Sequence, residues 1–159
     1  MMKPSKIGIL KAKKTWLLFS NFKGIMWMGT LYCREQKYVD EINKSDKINS
    51  TFKSHETIHV RQAQSMNDSW FKFYLNYCFQ WLKNLPLLVI NINAPYLLIP
   101  TEIEAYFNQK NWSYAENISP VFEWKKYQEL SLKEKKQIAK AYYDKNNHKS
   151  FSVILHEFL

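Results

Sequence analysis

The chain has 159 residues, a formal net charge of +9, and 46% apolar and 16% aromatic content. A chain of that length builds one domain with a sizeable core, and its composition excludes disorder. With three glycines and five prolines, a Gly-rich phosphate loop and an all-β design dense in tight turns are excluded as well, which leaves a mostly helical α+β fold over residues 1–159.

Residues 1–14 read as a basic, weakly structured lead-in carrying Lys3, Lys6, Lys11, Lys13 and Lys14. With the lysines of a late helix (Lys133, Lys135, Lys136, Lys140), they describe a solvated face rather than a nucleic-acid reader. Bidentate phosphate and guanine contacts favour arginine, and Arg34 and Arg61 are the only two. The apolar stretch after Lys14 is broken by Ser20, Asn21 and Lys23 and has no small-residue cleavage site, so no secretory signal is expected. No run of 18 apolar residues occurs, and the expected location is the cytoplasm. Cys33 and Cys78 lack any paired spacing and read as buried small hydrophobes.

Trp16–Phe19 and Gly24–Cys33 have the composition of two strands joined by Ser20-Asn21-Phe22-Lys23, an N-terminal hairpin. Arg34 to Asn49 is polar and leads, as loop or short helix, into the stretch that carries chemistry. There, Thr51-Phe52-Lys53-Ser54-His55-Glu56-Thr57-Ile58-His59-Val60-Arg61-Gln62 contains His-Glu-x-x-His. Ser50, Thr51 and Ser54 are candidate caps and Asn67-Asp68 a stop, so the stretch is a helix. His55 and His59 then lie one turn apart on the same face, where two imidazoles can close on one Zn²⁺ at about 2.0–2.1 Å each. Glu56 is placed to take a proton from an activated water and hand it to a leaving amine.

A catalytic zinc needs a third ligand. No His-x-x-Gly-x-x-His continuation follows His59, because residues 60–68 hold neither Gly nor His. Carboxylates remain. The helix from Ser69 to Leu85 is apolar nearly all round and reads as a central core helix, or as an interfacial anchor flanked by Lys72 and Lys83. Residues 87–99 read as a buried connector. Pro100-Thr101-Glu102-Ile103-Glu104-Ala105-Tyr106 opens a further helix running towards Tyr114, with Thr101 as N-cap and Glu104 closing a capping box.

His55-Glu56-x-x-His59-x-x-Gln62, followed by an aromatic helix and then Glu102-x-Glu104-Ala105-Tyr106, resembles the small gluzincin-type zinc metallopeptidases. The resemblance covers about Ser50 to Gln109. In related gluzincins, including the membrane-associated prenyl-protein proteases, the third ligand is the Glu that starts Glu-x-x-Ala-Asp. Aligned on Ala105, that Glu is Glu102, and Tyr106 stands where the family has Asp. Glu104 lies about 200° round the helix from Glu102, so the two cannot share one metal. The resemblance implies a zincin-like fold, with a short sheet packed on the motif helix and Gly24–Cys33 as a strand that aligns a peptide. It implies Zn²⁺ on His55, His59 and Glu102, Glu56 as general base and acid, and amide hydrolysis of a peptide or protein substrate.

Beyond this region, residues 118–129 read as a turn, and Ser131-Leu132-Lys133-Glu134 as a capping box opening a helix to about Tyr143. Phe151–Leu155 could be strand or helix. His148 and His156 are the remaining histidines, and Tyr106, Arg61 and Gln62 are candidates to support the site. Two further functions stay open: an inactive zinc-stabilised binding or sensing module, and a basic protein acting at a membrane or nucleic-acid surface.

Overall fold

The computed structural model describes residues 10–16, 23–116 and 123–159. The fold is α+β and mostly helical, with one three-stranded mixed sheet. Two compact units divide it: Met1–Trp70 with Gln109–Val121, and Phe71–Asn108 with Phe122–Leu159.

In the first unit, β1 (Lys11–Lys14), β2 (Gly24–Trp27) and β3 (Thr30–Cys33) form the sheet in the order β1-β3-β2. β1 runs parallel to β3, and β2 antiparallel to it. The hairpin is therefore not the expected one. Gly24–Cys33 is itself a hairpin, folded at Met28-Gly29, where φ is 47° and 82°. Two consecutive positive φ angles make the two-residue turn whose twist suits paired strands. A side chain at Gly29 would also collide with the Trp70 indole, 2.9 Å from the position of a Cβ. The lead-in also differs from expectation: Lys11–Lys14 is a strand because Ala12 turns into the core while its lysine neighbours face solvent. Residues 17–19, assigned to the first strand of the hairpin, lie outside the described residues.

α1 (Gln36–Asn43) packs on β1 and β3 through Val39 and Ile42. Its last residue, Asn43, accepts from the Ala12 N–H at 3.0 Å and donates to the Ala12 carbonyl at 2.9 Å. α2 (Thr51–Ser65) is the motif helix. Ser50 caps it, accepting from the Lys53 N–H at 3.1 Å. It stops at Asn67 and Asp68, both at positive φ, as those residue types allow. α6 (Trp112–Glu116) packs on α2, and Arg61 donates to the Ala115 carbonyl at 3.1 Å. Tyr114 thus belongs to a separate helix and not to an extension of the preceding one.

In the second unit, α3 (Trp70–Lys83) leads through a 3₁₀ turn (Leu85–Val89) and α4 (Ala94–Leu97) into α5 (Pro100–Asn108). α7 (Trp124–Tyr127), α8 (Leu132–Tyr142) and α9 (Phe151–Phe158) follow, so the C-terminal stretch is helical. α5 packs on α7 and α9, and α8 on α9, around Leu98, Ile103, Ile138, Phe151, Ile154 and Leu155. The capping box at Ser131 and Glu134 is present. Lys135 is not part of the solvated face: it is buried, and its Nζ donates to Asn84 Oδ1 at 2.9 Å.

α3 is not the central core helix that its composition suggests. Phe73 and Gln80 are its buried residues, while Phe71, Leu75, Phe79, Trp81 and Leu82 are exposed, as is Cys78. Leu87 of the connector is buried, but Leu88, Val89 and Ile92 face solvent. Among the described residues no helix is long and apolar enough to cross a membrane.

Candidate metal centre

The polar residues Lys53, Ser54, His55, Glu56, His59 and Gln62 of α2 are all buried. Such burial is unfavourable unless each group finds a partner or a task. Lys53 has a structural one: its Nζ donates to the carbonyls of Ile42, at 2.7 Å, and Ser45, closing the C-terminal end of α1. His55, Glu56, His59 and Gln62 remain as a cluster on the motif helix.

The helix brings the two histidines together as the four-residue spacing requires. Their Nε2 atoms stand 3.2 Å apart, with the rings edge to face. A tetrahedral zinc bound at about 2.0–2.1 Å to each of two imidazoles separates the nitrogens by about 3.3–3.4 Å. The pair is already close to that separation. Gln62, three residues beyond His59, fixes the tautomer: its Oε1 lies 2.8 Å from His59 Nδ1. An amide oxygen only accepts, so Nδ1 carries the proton and Nε2 presents a lone pair towards His55. A histidine so oriented is how metal-ligating imidazoles are held.

Glu56 is buried beside this pair in sequence, and its charge reaches β3. The Cys33 thiol is pushed up to about 12, first by burial and then by the neighbouring carboxylates of Glu56 and Glu41. Cys33 is therefore a neutral thiol at physiological pH and an inert member of the core.

The second unit holds the carboxylate candidates. α5 begins at Pro100, and the Ile103 N–H bonds the Ile99 carbonyl at 2.9 Å. Thr101 therefore lies inside the first turn, and no capping box forms with Glu104. The cause is Pro100, which starts the helix itself because it needs no N–H partner. Glu102 and Glu104 are both buried and face different neighbours. Glu102 Oε1 accepts from the Tyr77 hydroxyl of α3 at 3.0 Å. Burial, followed by the Glu102 charge, raises the Tyr77 hydroxyl well above its usual range, so it stays a donor. Glu104 lies towards Tyr127 of α7, where it adds to the burial that raises that phenol.

Among the other candidates, Tyr106 packs edge-on against Phe151 at 5.2 Å, and His148 is exposed. His156 stacks on Phe107 and donates to its backbone carbonyl at 3.0 Å. Arg61 is tied to α6, and Gln62 has the supporting role. Tyr77 was not foreseen: one of ten tyrosines, it is marked only by what folding places beside it. Set against known protein families, curated proteins and solved structures, the chain matches none.

Proposed function

We propose that this protein is a zinc-dependent metallopeptidase of zincin-like, gluzincin type that hydrolyses amide bonds in a peptide or protein. The observation that carries the proposal is the His55–His59 pair, with Nε2 atoms 3.2 Å apart on a buried face of α2. The donor types support it too: His55 and His59 are buried on α2, and Glu102, the carboxylate that the resemblance pairs with them, is buried on α5. Two neutral nitrogens and one carboxylate, with a fourth position left for water or substrate, are the ligand set of a hydrolytic zinc site.

When bound, zinc supplies Lewis acidity, polarising the scissile carbonyl and lowering the pKa of water to about 7. The chain's own residues do the rest. Glu56 takes the proton of the attacking water on its carboxylate and returns it to the leaving nitrogen. Gln62 keeps His59 in the ligating tautomer. Tyr77 holds one oxygen of Glu102 and orients the carboxylate, while Tyr106, at the place of the family's Asp, packs its ring on Phe151. The resemblance makes Gly24–Cys33, the hairpin of β2 and β3, the stretch along which an extended substrate would lie.

The test begins with zinc content after purification without metal-affinity steps. About one zinc per chain is expected for the wild type and Glu56→Gln, and much less for His55→Ala and Glu102→Ala. Hydrolysis of a peptide library is expected from the wild type and not from Glu56→Gln. Zinc without hydrolysis would replace the peptidase by a zinc-stabilised binding module. No zinc in the wild type, even after its addition, would remove both.

A further inference from the structure

α3 turns much of its apolar surface outward. Phe71, Leu75, Phe79 and Leu82 are each more than half exposed, and they recur at spacings of three and four. At 100° per residue, these positions form one stripe along the helix. The chain that follows continues the pattern, with Val89 and Ile92 more exposed still. The segment that carries this surface, residues 69–101, contains two lysines, Lys72 and Lys83, and no Asp or Glu. Lys83 Nζ lies 4.5 Å from the Phe79 ring centroid, so its methylene stem follows the stripe while its charge stays at the edge.

We propose that this face seats the protein on an anionic lipid membrane. Four bulky apolar side chains in one stripe, on a segment with two lysines and no carboxylate of its own, match an interface of acyl chains beneath negative headgroups. A second copy of the chain would bring Lys72 and Lys83 against their own like charges, on proteins that each carry +9. With no described helix able to cross a bilayer, the contact is with its surface. The proposal stands independently of the metal centre.

Partitioning of the full-length protein is measured by sedimentation with vesicles of phosphatidylcholine alone and of phosphatidylcholine with phosphatidylserine. The wild type is expected to bind the phosphatidylserine vesicles more tightly. Phe79→Ser combined with Leu82→Ser should weaken that binding by about tenfold or more. Lys72→Gln and Lys83→Gln should each weaken it by about fivefold. Because these side chains are exposed, the variants should keep the wild-type circular dichroism and melting midpoint, which confirms that they fold. Failure of the folded wild type to bind, or equal binding by the Phe79/Leu82 variant, overturns the proposal. So does a wild-type dimer in sedimentation equilibrium that the same variant disperses, since a second copy would then be the occupant.

Discussion

Replacing Gln62 by Leu tests the proposed metal centre without touching a proposed ligand. Gln62 and His59 are both buried, and the 2.8 Å bond between them holds the proton on His59 Nδ1. Leucine fills nearly the same volume but accepts nothing, so the imidazole loses the partner that fixes its tautomer and ring angle. Loss of such a supporting contact lowers metal affinity by about 10- to 100-fold, which is about 1.4–2.7 kcal/mol of binding free energy. Gln62→Glu restores an acceptor at the same place and should stay within about threefold of the wild type. The assay is zinc competition against a chromophoric chelator at fixed pH. Melting curves taken in excess chelator separate loss of metal from loss of fold. Wild-type affinity in Gln62→Leu, or equal affinities in the Leu and Glu variants, would refute the reasoning.

Three further outcomes concern the scaffold. Lys53→Met strands the carbonyls of Ile42 and Ser45 at the end of α1; it should cost about 2 kcal/mol and lower the melting midpoint by about 4–8 °C. Met28→Asn relieves a left-handed residue at φ 47° in a turn that favours Asn-Gly, and should raise stability by about 0.5–1 kcal/mol in urea titration. Burial and the neighbouring Lys83 charge lower the Lys135 ammonium to about 8. The folded state thus releases this proton near pH 8, and the unfolded state only near the ordinary 10.5. Between those values the unfolded chain binds more protons, so this residue's contribution to stability rises with pH. Cys33 and Tyr143, both pushed up to about 12, act in the opposite sense in alkali. The quantity to measure is therefore the difference in stability between the wild type and Lys135→Met across pH 7 to about 10. A difference that does not change with pH would show that Lys135 titrates normally.

What the sequence discloses about this molecule is mostly local. Ser50 as a cap, the His55–His59 spacing, the stop at Asn67-Asp68 and the Ser131–Glu134 box are set within a turn or two of chain, and each is found where its pattern places it. Gln62 was within reach for the same reason, three residues from the imidazole that it holds. The outward face of α3 was not legible, because a helix apolar on all sides does not say which side meets the core. Lys11–Lys14 was missed because a strand made of three lysines and one alanine has no hydrophobic alternation; its partner β3 and the α1 contact define it. The Thr101 box had the right residue types but the wrong starting point, since Pro100 opened the helix first.

The Asn43 contact has a consequence for how this small sheet can grow. A strand residue directs its N–H and carbonyl to the same side, and at Ala12 both are taken by one side-chain amide from α1. The amide imitates the backbone of a neighbouring strand but carries no chain onward, so it acts as a terminator of the hydrogen-bond ladder at that flank. Recruitment of another strand beside Ala12 is thereby opposed by a side chain rather than by a further strand. A mutation at Asn43 would thus alter more than stability: it would open this edge to pairing with foreign chains.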